Sequence, residues 1–142
     1  MIVLDANLLL YAYDASSPHH QAAQKWLQKT FSADELIGIP WQSVGAFLRI
    51  VTNVRLPGQR TTLEQALEVV DLWFEQPNVR FLTPSERHWP LLRQMMIEGK
   101  ARGPLLTDAQ LAALTIEHGG VLHTTDRDFA RFPGLRWTNP LA

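Results

Sequence analysis

Met1-Ile2-Val3-Leu4-Asp5 is a short apolar run closed by a carboxylate. Four residues without polar alternation suit a strand covered on both faces, the position a central parallel strand occupies. Asp5 then stands at the C-terminal end of that strand. Three more stretches repeat the pattern. Leu36 to Ile39 and Val79 to Leu82 are short and apolar, and Val121 to Thr124 is followed within four residues by Asp126 and Asp128.

The segments between these runs carry helical spacing. Ser17-Pro18 offers an N-cap with proline at the first helical position, ahead of Ala22, Ala23, Trp26 and Leu27. From Pro40, the residues Trp41, Val44, Phe47, Leu48 and Val51 mark one helical face, and Pro57-Gly58 breaks the chain. Thr61 with Glu64 reads as a capping box for a helix burying Leu63, Leu67, Val70 and Phe74. Thr83-Pro84-Ser85-Glu86 opens another helix, and Thr107 with Gln110 a third capped one that ends at Gly119-Gly120. Strands alternating with helices predict an α/β layer structure with a mostly parallel sheet, built as one unit over residues 1–142.

Composition narrows the chemistry. The chain is 46% hydrophobic and 19% charged, an ordinary globular balance. It has no cysteine, which excludes disulfides, thiolate metal sites and cysteine nucleophiles, and leaves oxygen or imidazole to hold any metal. Neither an export signal nor a membrane span is read, since Asp5 interrupts the first apolar run; the expected location is the cytoplasm. The net charge of -1 weighs against a polyanionic partner. Setting aside Asp5, Asp108, Asp126 and Asp128 leaves ten acids against 13 basic residues, an excess of +3.

Those four aspartates are the candidates for chemistry. Ligands of an open parallel sheet bind beyond the carboxyl ends of its strands, where Asp5, Asp126 and Asp128 fall, and Asp108 lies at the start of the Thr107 helix. Each alone reads more readily as a helix cap. Gathered together, they repel one another unless a cation offsets the charge. Hard oxygen ligands favour Mg²⁺ or Mn²⁺, which in turn favour phosphate-bearing substrates. The five histidines lack metal-ligand spacing, and Trp26, Trp41, Trp73 and Trp89 fall in helical apolar patterns suited to core or dimer packing.

Ile2-Val3-Leu4-Asp5-Ala6-Asn7, Leu106-Thr107-Asp108-Ala109 and Thr124-Thr125-Asp126-Arg127-Asp128-Phe129, in that order, resemble the PIN-domain pattern, and Phe47-Leu48-Arg49-Ile50-Val51-Thr52-Asn53 resembles a stretch of its VapC-type toxins. The resemblance runs from Met1 to about Trp137. It implies a three-layer PIN-like fold and a Mg²⁺- or Mn²⁺-dependent endoribonuclease acting on tRNA or other structured RNA. It also implies a homodimer and a cognate VapB-type antitoxin. Asp5 and Asp108 match the main metal-binding acids, Asp126 a further one and Asp128 a fourth pocket acid, with Asn7, Thr107 and Thr125 in support. Ala46 stands where many relatives carry a glutamate, which leaves room for a weakened RNA- or protein-binding module as the alternative; Gln42, on the same helical face, could supply a neutral contact. A haloacid-dehalogenase-like phosphatase is disfavoured, because its second acid would fall at Asn7. Arg49, Arg55, Arg60, Lys100, Arg102, Arg127 and Arg131 are available to phosphates, with Arg49 and Arg102 chosen as RNA contacts.

Overall fold

A computed structural model describes residues 1–55 and 61–142, so Pro57-Gly58 and Arg60 lie outside the described residues. Its strands are β1 (Ile2–Leu4), β2 (Ile37–Pro40), β3 (Val79–Leu82), β4 (Val121–His123) and β5 (Trp137–Thr138). They pair in the order β3-β2-β1-β4-β5, every pair parallel. Among the described residues six α-helices accompany them: α1 (Ala6–Tyr13), α2 (His20–Phe31), α3 (Trp41–Val51), α4 (Leu63–Glu75), α5 (His88–Glu98) and α6 (Leu106–Glu117). Short 3-10 turns at Gly103–Leu105 and Arg127–Arg131 precede α6 and follow β4.

The central position of β1 follows from its side chains. Val3 and Leu4 are both fully buried, yet alternate residues of a strand face opposite ways, so each needs its own cover. Leu4 joins the core formed by α1 to α4, with Leu9, Leu27, Phe47, Val70 and Trp73. Val3 joins the core of α5 and α6, with Met95, Leu111, Leu114 and Phe129. The result is three layers, as expected. Burying a side chain of this size stabilises the fold by roughly 1.5–3 kcal/mol. β1 pairs with β2 through Ile2 opposite Ile37, and with β4 through Ile2 opposite Val121. From β1 the chain first builds outward to β2 and β3, then returns to add β4 and β5 on the other edge. The crevice of such a sheet opens where the order reverses, beyond the carboxyl ends of β1 and β4.

Several local expectations are corrected. Helix α1 and strand β5 were not among the elements read from the sequence. The Ser17 hydroxyl accepts from the His19 amide at 3.1 Å, as a cap would, but helical geometry begins only at His20. The capping box of α4 is Thr62 with Gln65, one residue beyond Thr61 and Glu64. Its buried face is Ala66, Val70 and Trp73, while Leu63, Leu67 and Phe74 are exposed. Trp73 decides this rotation: it packs 4.9 Å from the Phe47 ring, and a tryptophan withdraws more area than the residues left outside. Helix α5 starts at His88, because the amide and hydroxyl of Ser85 are both captured by Glu117 across the layer and the Thr83–Glu86 stretch stays irregular. Thr107 caps nothing: α6 already runs from Leu106, continued from the turn carrying Pro104, so Thr107 lies inside its first turn. The Gly119-Gly120 stop is as read. Gly119 adopts φ +67, and its amide and that of Gly120 close back on Ile116 and Thr115, a Schellman ending.

Candidate functional site

Asp5 sits between β1 and α1 with no intervening loop. It occupies the N-cap position, but its side chain makes no capping bond. Its Oδ2 instead accepts the Thr124 hydroxyl at 2.7 Å, and its backbone amide donates to the His123 carbonyl at 3.1 Å. The capping explanation therefore fails for this aspartate. β4 delivers Thr124, whose fully buried hydroxyl also accepts from the Asp126 amide at 3.0 Å and from Asn7 Nδ2 at 3.2 Å. Asn7 Nδ2 reaches Thr125 Oγ1 as well, at 3.0 Å. Thr124 is thus the knot that joins the ends of β1 and β4.

Asp126 caps the 3-10 turn by accepting the Asp128 amide at 2.9 Å, so for this residue the capping reading holds. Asp108 stands in the first turn of α6 without a cap bond. Its carboxyl is pushed up to about 6, chiefly by burial, then by the charges of Asp126, Asp5 and Asp128, against a smaller pull from Arg131. Asp5 is raised as well: burial dominates, and Asp126 adds to it. The Thr124 hydroxyl and the nearby amides of Ala6 and Asn7 oppose the shift. The carboxylates of Asp5, Asp126 and Asp128 therefore act on that of Asp108 although three separate segments of the sequence supply them.

The pocket is a converging set rather than a finished cage. Among the described residues no three acids or histidines are gathered at the spacing of ligands around one ion. One observation nevertheless fits a cation: Asn7 Oδ1 is buried and has no hydrogen-bond partner. An orphan acceptor and carboxylates held above their ordinary range are both relieved by positive charge supplied from outside.

The other expected residues are placed as follows. Thr125 supports Asn7 through its hydroxyl, whereas Thr107 contributes its carbonyl, which accepts Gln42 Nε2 at 3.3 Å. Arg49 is exposed on α3, and Arg102 is exposed at the start of the turn before α6. Thr124, Ser43 and Arg131 carry more of the site than the sequence reading gave them. Ser43 donates to the Leu4 carbonyl at 2.9 Å from a buried position, fixing the strand end that presents Asp5. Arg131 holds the Gly99 carbonyl at 3.2 Å while its charge reaches Asp108. A hydroxyl directly after a strand, as at Thr124, was the available signal. His123 stacks on Trp26 at 5.6 Å and is lowered chiefly by burial, a packing role as expected.

Comparison with known proteins agrees with this geometry. The PIN domain profile matches residues 2–135. Ribonuclease VapC33 of Mycobacterium tuberculosis is 39% identical over 141 residues, covering 99% of both chains. Ribonuclease VapC37 of the same organism is 36% identical over 142 residues, covering 100% of this chain and 99% of the relative. The structure of VapBC-1 from nontypeable Haemophilus influenzae superposes with a TM-score of 0.71 at 18% identity, with full coverage of both chains, a likeness of fold. With the profile spanning nearly all of the sequence, and whole-length relatives above 35% identity, this chain belongs to the PIN-domain family.

Proposed function

We propose that the chain is an endoribonuclease, the toxic half of a VapBC-type pair, hydrolysing RNA phosphodiester bonds in the cytoplasm. The observation that carries this reading is the meeting of Asp5, Asp108, Asp126 and Asp128 beyond the carboxyl ends of β1 and β4, with two of them held above the ordinary carboxylate range. The ribonuclease names of the whole-length relatives support it.

Asp5, Asp108 and Asp126 would hold Mg²⁺ or Mn²⁺, with Asn7 Oδ1 as a neutral oxygen nearby. Such an ion, when bound, polarises the scissile phosphate and makes water a stronger nucleophile at neutral pH. The chain's own contribution is positioning. Thr124 holds one oxygen of Asp5, and the Asp128 amide holds one oxygen of Asp126, which fixes the direction of both carboxylates. Asp128 is exposed at the rim and is suited to orienting water or accepting its proton. Asn7, with its amide committed to two hydroxyls, cannot be the second acid of a phosphatase. In this reading the partner is a VapB-type antitoxin and the toxin is a homodimer, for which the exposed Leu63, Leu67 and Phe74 of α4 offer apolar surface.

Purified protein, freed of any antitoxin, should cut tRNA or another structured RNA at discrete positions with Mg²⁺ or Mn²⁺. A chelator or Asp5→Asn should abolish the cutting. RNA binding without turnover under every metal condition would instead favour the binding-module reading, for which the absence of a carboxylate at Ala46 speaks.

A further inference from the structure

Helix α3 presents two unlike faces. Ser43, Val44, Phe47 and Val51 are buried, whereas Gln42, Gly45, Ala46 and Arg49 form a stripe at i, i+3, i+4 and i+7 on the open side. Together with Thr107 they line a cleft of about 310 Å³. Thr107 precedes Asp108, and the Gln42 bond to the Thr107 carbonyl ties the cleft wall to the first turn that carries this aspartate. The cleft therefore adjoins the acidic pocket.

Its lining is chemically one-sided. None of the five residues is acidic, one is a guanidinium, and the whole of α3 lacks a carboxylate. Beside four aspartates, this is where an approaching polyanion meets attraction. Gly45 adds a second observation. A Cβ built there would touch nothing within 4 Å, and its φ is not among the positive ones, so neither packing nor backbone conformation demands glycine. In mid-helix it is a poor choice relative to alanine. Its effect is to keep the floor of the cleft flat.

Resting on the ribonuclease reading, we propose that this cleft seats the sugar and phosphate of a nucleotide flanking the scissile bond, with Arg49 on the phosphate. Thr107, exposed on the wall of the cleft, would meet the ribose. Among the described residues no aromatic side chain lines the cleft, so the seat grips backbone and does not stack bases. The volume, at the lower end for small-ligand sites, suits one such unit and no more.

The test combines cleavage kinetics on an RNA that the wild-type protein cuts with fluorescence anisotropy of the same RNA, labelled. Arg49→Ala should raise KM and Kd about tenfold with kcat nearly unchanged, and should flatten the salt dependence of binding by about one phosphate contact, a log–log slope change of roughly 0.7–0.9. Arg49→Lys should restore that slope. Gly45→Leu should preserve or raise the melting temperature while raising KM, because it fills the cleft without straining the helix. Wild-type KM, Kd and salt slope in both Arg49→Ala and Gly45→Leu, with cleavage intact, would overturn the seat and leave the nuclease standing. Binding that depends on Arg49 in a protein that cuts no RNA would do the reverse.

Discussion

Asp108 shows how one side chain of the proposed site can be costly to the fold that carries it. Its carboxyl is raised from 3.8 to about 6, so between those values the folded state holds a proton that the unfolded state has released. Stability is then lost as pH rises through this window, the cost being complete above about 6 and absent below 3.8. Asp108→Asn in metal-free protein should therefore raise the melting temperature at pH 8 by a few degrees, at roughly 3 °C per kcal/mol for a chain of this size. That gain should shrink as the pH is lowered toward 4, and calorimetry across the range checks it, while cleavage by the same variant should fall to background. Thr124→Val removes the hydroxyl that holds Asp5 and should lower metal affinity or activity by about 10- to 100-fold. Titration calorimetry with Mn²⁺ reads that loss directly. The aspartates were legible in the sequence because each follows a strand or opens a helix. Thr124 was not singled out, because a threonine at a strand end is ordinary until its three partners are known.

At the scale of elements, β1 to β4 were legible to within one residue, whereas β5 and most helix starts were not. A strand of three or four apolar residues is bounded by its own composition. A cap is decided by competition for a few hydrogen bonds, as when Glu117 takes Ser85 and delays α5 to His88. The apolar face of α4 was misread for a related reason: Leu63, Leu67 and Phe74 match the period as well as Ala66, Val70 and Trp73 do, and only the fit of Trp73 against Phe47 selects between them. Glu117 itself binds the layer together. It is buried, accepts the amide and hydroxyl of Ser85, and meets His88 Nδ1 at 2.7 Å. Burial is the largest single influence on it and pushes its carboxyl up, but the Ser85 and His88 bonds together hold it below its ordinary value of 4.5. It therefore contributes stability above 4.5 that is lost as pH falls through the lowered value. Glu117→Ala should cost about 3 kcal/mol or more in urea unfolding at pH 7, since it orphans buried partners. Cleavage per folded molecule should be unaffected, because Glu117 and Asp108 lie at opposite ends of α6.

For the molecule as a whole, the layered architecture was readable from alternation alone, while the exposed apolar face of α4 was not, since its residues were read as core. Leu63, Leu67 and Phe74 are about half exposed, and Phe74 is stacked 3.9 Å from Phe81 with Trp41 against the same ring. Apolar area of this kind on the outside of a folded chain is normally covered by a partner. Leu67→Glu should weaken self-association in sedimentation or light scattering while changing the monomer's stability by no more than about 0.5 kcal/mol, as expected of an exposed position. An unchanged assembly would remove this face of α4 from the interface.

The strand order also sets a schedule. Asp5 leaves the ribosome well before the strand that completes its surroundings, β4, which begins at Val121, and Asp126 follows later still. At about 5–20 residues per second, an interval of several seconds separates the first carboxylate from the last during synthesis. Through that interval the nascent chain holds a lone aspartate beside an incomplete sheet. The acidic pocket is therefore assembled only after β4 has been made, and a copy that stops before Val121 lacks it.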